Sequence, residues 1–441
     1  MTAVPTLQAQ TRVFDVDTRP LISDRAGKAW QLLSLGVDLG AGYDNDVLRA
    51  DDSADNVLPS PIGQQRVERS TFEQGAANLR YRLGASRFTL AADATTVAVF
   101  YPILQSPLMW NHGGLASATY RLGRGTKVLG LERVSYQPYY SFLPPLAGLA
   151  SFDLQTISSF DLAFASALPD QSVSAVVENH LSNTSTVELR QRLTRRFELW
   201  LDYEDDRSQS PSHLRDVTTE GGSAHIVGPI GKGLGLRVGY GYATSRYGVG
   251  ADEKIFRRQN EDLGLTFTHA ISLSRHTTLA FDTGSSTFSE AGQTHFFLTG
   301  TAVLRREINR TWVADLTFNR NVQFLETFHD PVSANALGAR ADGKLSRRVA
   351  LNLGAVATAG RVGFNAVDNT YASYQATSSL SMSLTRVLGA AINYSYLHYR
   401  FGAGVGLPEA VRLHADRQRV SVTGTFRAPL FRRRGRSDVT E

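Results

Sequence analysis

The sequence predicts an all-β fold, a single transmembrane antiparallel up-and-down β-barrel of about 18 strands, in a range of about 16 to 20. Three observations predict it. Long segments alternate apolar and polar residues with a period of two. Short turns and longer irregular loops alternate between those segments. The segments also outrun the strands of soluble sheets, which are commonly about five or six residues long, and supply the about 9 to 11 residues that a tilted spanning strand needs.

The stretch from Asn260 to Glu326 has the clearest pattern. Leu263, Leu265, Phe267, His269, Ile271 and Leu273 form one row against Asp262, Gly264, Thr266, Thr268, Ala270 and Ser272. After Ser274, Arg275 and His276 the chain resumes with Leu279, Phe281 and Thr283 against Ala280, Asp282 and Gly284, so a tight turn makes the two strands antiparallel neighbours. Further on, Trp312, Ala314, Leu316 and Phe318 alternate with Val313, Asp315, Thr317 and Asn319. One face is apolar and the other is wet.

In chain order, residues 1–29 are polar and aperiodic and are expected to be a periplasmic tail. Leu7, Gln8 and Ala9 before Gln10 resemble the end of a signal-peptidase site without the segments that precede one, so an upstream start or a trimmed chain is expected. The barrel is expected to span 30–431, and 432–441 to be a basic C-terminal tail. Strands are predicted at 31–46, 72–84, 87–101, 112–122, 126–141, 180–193, 196–208, 214–228, 233–248, 260–273, 276–290, 293–308, 311–326, 333–346, 349–364, 370–385, 388–402 and 416–430. The connections at 83–87, 122–127, 193–196, 273–276, 307–310, 345–348 and 384–387 are short, and those at 47–71, 102–111, 142–179, 249–259 and 403–415 are mostly longer. If the strands pair in sequence, short turns fall at one end and long loops at the other. An outer-membrane barrel has that asymmetry, with short turns in the periplasm and long loops outside.

Composition narrows the remaining classes. The 441 residues contain no cysteine, which removes disulfides, thiolate metal sites and cysteine nucleophiles. No run of about eighteen apolar residues occurs, so no transmembrane helix is expected, while a barrel stays open. The net charge of +5 is modest, and with no basic patch interleaved with aromatic residues nucleic acid is not an expected partner.

Energetic cost assigns the faces. Turning Arg237, which alternates with Leu236 and Val238, into mid-bilayer would cost about 2 to 4 kcal/mol, so the apolar row faces lipid. By the same argument Phe197, Leu199, Leu201 and Tyr203 face out and Glu198, Trp200, Asp202 and Glu204 face in. Trp30, Tyr43, Tyr101, Trp312, Tyr394 and Tyr396 suit interfacial girdles, or else ordinary cross-strand aromatic pairs. Gly239 and Gly241 suit an uncrowded inner face or a bend.

The inward charges are the candidate functional residues. Arg80, Arg82, Arg121, Arg190, Arg192, Arg237, Arg340, Arg419 and Arg427 are expected in the lumen. They face Asp38, Glu188, Glu198, Asp202, Asp262, Asp282, Asp315 and Asp342. Such residues either tune passage or bridge neighbouring strands, and Arg192 beside Glu198 across a tight turn suits bridging. A charged wall implies water inside, and barrels of about sixteen to eighteen strands leave an aqueous channel. Phe142, Leu143, Pro144, Phe160 and Phe164 are too apolar for a freely solvated loop, so 142–179 is expected to fold inward or cap the mouth, or to hide two more strands at 158–167 and 172–180. His269 and His398 fall on the lipid-facing rows without an obvious orienting carboxylate, and no nucleophile, phosphate or metal motif is present, so neither catalysis, cofactor nor metal is expected.

Residues 131–140, Leu-Glu-Arg-Val-Ser-Tyr-Gln-Pro-Tyr-Tyr, and the final strand from Arg419 through Phe426 to Phe431 resemble the porin-type outer-membrane barrels of Gram-negative bacteria, some of which accompany exopolysaccharide secretion. The resemblance covers the strand-and-turn plan of nearly the whole chain. It implies a cell outer membrane location, a lipid surround, and partnership with periplasmic polysaccharide-export components. The final strand is similar to the signal read by the barrel-assembly machinery, with Phe426 and Phe431 as its aromatic positions, although residues 432–441 follow it. The functions this implies are export of a surface polysaccharide, or diffusion of small solutes through a general or selective porin. A barrel enzyme or a plugged structural barrel is the third alternative.

Overall fold

A computed structural model describes residues 30–49, 66–103, 108–137, 180–209, 216–231, 234–248, 254–267, 271–274, 276–290, 293–309, 311–323, 330–363, 368–405 and 413–434. The first strands are β1 (Trp30–Arg49), β2 (Arg66–Gly84), β3 (Phe88–Phe100), β4 (Leu108–Arg121) and β5 (Thr126–Gln137). Next come β6 (His180–Arg192), β7 (Glu198–Gln209), β8 (Val217–Pro229), β9 (Leu234–Tyr247), β10 (Lys254–Phe267), β11 (Ile271–Ser274) and β12 (Thr277–Glu290). The last are β13 (Gln293–Glu307), β14 (Trp312–Gln323), β15 (Val332–Lys344), β16 (Val349–Val362), β17 (Thr370–Ser383), β18 (Leu388–Phe401) and β19 (His414–Arg434).

Each strand pairs antiparallel with its sequence neighbour, and β1 pairs with both β2 and β19, which closes the sheet. Both β10 and β11 pair with β12, so these two segments share one place in the wall. The result is a closed antiparallel barrel of 18 strands. The last strand runs three residues beyond Phe431, with Arg432, Arg433 and Arg434 in register with Leu32, Gln31 and Trp30.

Four of the short turns share one local device. Thr194 Oγ1 accepts the backbone N–H groups of Arg196 and Phe197, Ser346 Oγ those of Arg348 and Val349, and Thr385 Oγ1 those of Val387 and Leu388. Asn309 Oδ1 accepts the N–H groups of Thr311 and Trp312 in the same way. A short side chain at the turn's first corner thus satisfies backbone donors that the ladder leaves open, which explains the repeated Ser, Thr or Asn in these connections.

The outer face carries the apolar rows, with Leu39, Leu79, Val238, Phe296, Leu298 and Ile392 among its exposed residues. Trp312, Tyr43, Tyr394 and Tyr396 lie on outward rows, where a girdle requires them. Trp30 and Tyr101 depart from the girdle, and Tyr101 instead forms the alternative cross-strand aromatic pair, its ring centroid 5.6 Å from that of Phe72. Trp30 shares the inward row of Asp38 and lies against Gly84, and Tyr101 is buried just past β3.

The apolar belt has a sharp edge. Across β6 to β9 the outward row of Leu189, Leu201, Ala224 and Tyr240 is followed by Val187, Tyr203, Gly222 and Tyr242, and the next row toward the long loops is Ser185, Asp205, Glu220 and Thr244. Lipid contact ends where this polar row begins, because outward charges at mid-bilayer would be expensive. The chain is thus an outer-membrane barrel with its long connections on the outer side.

Candidate functional site

The lumen wall is built from inward rows of polar residues that neighbouring strands hold in register. Arg80 and Arg82 on β2 both reach Asp93 on β3: Arg80 Nε donates to Oδ1 at 2.9 Å and Arg82 Nη2 to Oδ2 at 2.7 Å. Two guanidinium groups therefore share one carboxylate, leaving a local excess of positive charge on this wall.

A second cluster spans β6 to β9. Arg190 forms an ion pair with Glu188, its Nη2 donating at 3.1 Å, and its guanidinium lies 4.5 Å from the Trp200 ring. Trp200 Nε1 donates to Glu198 at 3.3 Å, while Arg192 and Glu198 stand 3.9 Å apart. The expected Arg192–Glu198 pair is therefore present, but it is solvent-exposed and contributes about 0 to 1 kcal/mol. Asp202 accepts from Ser223 at 3.2 Å, and His225 Nε2 lies 2.8 Å from Ser223 Oγ and 3.7 Å from Asp202 Oδ2. A nucleophilic triad needs the carboxylate on the ring nitrogen remote from the serine, whereas here both groups meet the same nitrogen. The His225 ring also lies over Gly239, where a Cβ would come within 2.2 Å of Nδ1. Gly239 thus permits a close approach and is not the uncrowded position expected from the sequence.

Arg237 shares the inward row of His225 and lies opposite Val227. On β15 Arg340 pairs with Asp342 at 2.5 Å and stands in register with Asp315, which lies 3.9 Å from Arg305. Arg121 is exposed on an inward row opposite Lys127, and Arg427 is exposed beside Gly36. Asp38 stands between Ala76 and Thr425. Asp262 is in register with Gly239 and Asp282 with Thr301, on backbone positions whose side chains lie outside the described ones. The expected cap residues Phe142, Leu143, Pro144, Phe160 and Phe164 lie outside the described residues. Phe426 and Phe431 are exposed, with Phe426 on the outward row of Val37.

The most deeply buried charge was not among the expected lumen residues. Asp44, with 0% exposure, accepts from Arg417 Nε at 3.1 and 3.0 Å on its two oxygens, from the Tyr101 hydroxyl at 2.9 Å and from the Asp46 N–H at 3.1 Å. Arg417 Nη2 also donates to Tyr101 at 3.2 Å. Beside them Arg419, which was expected to face inward, donates to Gln74 at 2.8 Å and lies 3.7 Å from the Phe72 ring. Burial raises the pKa of the Tyr101 hydroxyl above its ordinary value, against the opposing pull of Arg417 and Arg419. These residues come from both sides of the β1–β19 closure, and Phe72 covers Gly42, where a Cβ would meet its ring at 2.4 Å. Arg417 was one step from detection, because it occupies the same alternating row as Arg419.

The inward aromatic residues at the long-loop end were also missed. Tyr247 meets Phe256 with ring centroids 5.6 Å apart, Phe288 meets Phe297 at 5.6 Å, Tyr371 meets Phe401 at 5.3 Å, and Tyr399 meets Phe401 at 5.2 Å. All but Phe297 are fully buried although they stand on lumen-facing rows. Near the short-turn end the inward rows are mixed: Arg192 is 59% and Arg305 50% exposed, while Leu129, Val227 and Asp342 are buried. Aromatic residues therefore crowd the inner wall toward the outside, and exposed inward arginines lie toward the periplasm. The signal in the sequence was a local reversal: Leu397, Tyr399 and Phe401 put apolar groups on the row that Asn393 and Ser395 occupy lower down.

One outward cluster also corrects an expectation. His398 Nδ1 lies 2.7 Å from Asp416 Oδ1, which also accepts from the Tyr396 hydroxyl at 2.8 Å. The orienting carboxylate, absent from the neighbouring sequence, is supplied by β19 across the ladder.

No protein-family model matches the chain, and no curated protein is significantly similar to it. Among solved structures, OccK2 (OpdF) of Pseudomonas aeruginosa in complex with glucuronate is similar over 91% of this chain and 98% of its own, with 9% identity and a TM-score of 0.44. OccAB3 of Acinetobacter baumannii is similar over 90% of this chain and 99% of its own, with 10% identity and a TM-score of 0.41. The siderophore receptor PirA of Acinetobacter baumannii is similar over 90% of this chain and 80% of its own, with 7% identity and a TM-score of 0.43.

Proposed function

We propose that the chain is a passive outer-membrane channel for small hydrophilic solutes. The observation that carries this reading is the band of buried aromatic residues on the inward rows near the outer end, with exposed charged side chains below it. Toward the periplasm, charged side chains such as Arg192, Arg305 and Arg427 stand open to the lumen, as a water-filled vestibule requires. Toward the outside, the ion-paired Asp44 and the aromatic residues Tyr247, Phe288 and Tyr399 are packed away from solvent while still projecting inward. Packed inward side chains narrow the outer mouth, so passage depends on solute size and on the charges around it. The same band weighs against outward threading of a surface polysaccharide, for which the outer mouth would have to be clear.

The test is single-channel conductance of the purified, heat-modifiable barrel in planar bilayers, together with swelling of proteoliposomes in sugars of graded size. Discrete conductance steps and a swelling rate that falls steeply from mono- to trisaccharides are expected. A folded barrel that never conducts, or one that admits long oligosaccharides as readily as monosaccharides, would overturn the reading.

A further inference from the structure

Arginines interrupt the outer face at the long-loop end, above the apolar belt. Arg69, Arg246, Arg257, Arg320, Arg361 and Arg400 stand on outward rows near the upper ends of β2, β9, β10, β14, β16 and β18, and all six are exposed. Strand parity fixes their direction: Arg246 is in register with Ile255, Arg320 with Asn335 and Arg400 with His414, each on the row opposite the buried lumen residues. The side chains of these six arginines hold no hydrogen bond or ion pair with another described residue.

The acidic groups on the same rim are mostly satisfied within the protein. Asp205 and Glu220 face Arg207, at 2.9 and 3.8 Å. Asp416 accepts from Tyr396 and faces His398, and Glu132 accepts from Ser185. Glu73 is the exposed exception. Among the described residues, internal pairing leaves the rim with guanidinium groups on outward rows, at the height where the lipid-facing belt gives way to polar residues.

We propose that this collar docks phosphorylated glycolipids of the outer leaflet, with guanidinium groups bound to the phosphates of the lipid headgroup. The position is continuous with the lipid interface below it, so the occupant is the leaflet itself and not a solute arriving from water. The charge fits, because arginine matches phosphate geometry with paired N–H donors. The arrangement is also local. Arg257 is in register with Thr244, so Arg246 and Arg257 sit diagonally across the β9–β10 ladder, close enough for one headgroup to engage both. Arg361 is in register with Ser333, and Arg320 with Asn335, giving a second diagonal pair across β14 to β16. At the short-turn end the arginines instead lie mostly in the turns, as at Arg195, Arg196, Arg347 and Arg348, where they meet periplasmic water.

The experiment is native mass spectrometry of the full-length barrel in detergent, titrated with bisphosphorylated lipid A or with its enzymatically dephosphorylated form. Tighter binding of the phosphorylated lipid is expected. The variant Arg246→Gln/Arg257→Gln should weaken it about thirtyfold, since each of the two basic residues at an anionic membrane surface contributes on the order of one kcal/mol. Arg306→Gln, an outward arginine at the opposite end, should leave it unchanged. Heat-modifiability and conductance keep their wild-type values in both variants, which separates lost lipid contact from misfolding and from failure of the channel reading. Equal binding of the two lipids, or a double variant that binds the phosphorylated form as the wild type does, would overturn the proposal.

Discussion

At the residue scale, the contact with the greatest energetic consequence is Asp44 with Arg417. A carboxylate with no solvent exposure is tolerated because three different groups donate to it, and Arg417 supplies the opposite charge at hydrogen-bonding distance. Removing one partner of such a pair leaves the other charge buried and uncompensated, at a cost of about 3 to 5 kcal/mol. Arg417→Ala should therefore lower the unfolding free energy by about that much in urea titrations of the barrel in lipid vesicles. Arg192→Ala, in the exposed pair with Glu198, should change it by less than about 1 kcal/mol. Equal effects of the two substitutions would show that burial does not set the value of these pairs.

At the element scale, each strand does two jobs with alternate residues, and the two faces obey opposite rules. On β9 the outward Val238 and Tyr240 meet lipid while the inward Arg237 and Gly239 meet the lumen wall. Val238→Arg should destabilise the folded barrel by about 2 to 4 kcal/mol, read from the same urea titration, because the new charge would sit in hydrocarbon. The turns act at a smaller scale of energy. Thr194, Ser346 and Thr385 each satisfy two backbone donors at an exposed corner, and this repeated device fixes where each hairpin reverses. Strand faces and short turns were legible in the sequence because both depend on residues close together in the chain. Trp30 departs from the girdle and Tyr101 meets the cross-strand alternative, because an aromatic residue at a strand end suits either face and only packing against Gly84, Phe72 or Asp44 decides between them.

At the scale of the whole molecule, closure turns a ribbon of hairpins into a barrel without free edges. It is made by β1 and β19, where Val37 is in register with Phe426. Directly opposed residues on antiparallel strands have Cα atoms about 4.5 to 5.5 Å apart, within the range a disulfide bridges. The chain has no cysteine of its own, so Val37→Cys/Phe426→Cys should form one disulfide on oxidation and keep the heat-modifiable migration of the folded barrel. A pair that stays reduced in the folded protein would mean that the wall is not closed in this register. Closure also brings Asp44 of β1, Tyr101 after β3 and Arg417 of β19 to one place, and so builds part of the crowded outer mouth.

By itself the sequence determined the strand plan and the direction of the apolar rows. Period-two alternation is a local property, and the cost of charge in hydrocarbon leaves one choice of face. The tertiary structure decided which inward groups meet. Asp44 lies 57 residues from Tyr101 and 373 from Arg417, distances over which no local pattern carries a signal. Strand register and closure set those contacts, and with them the crowding at the outer end of the barrel.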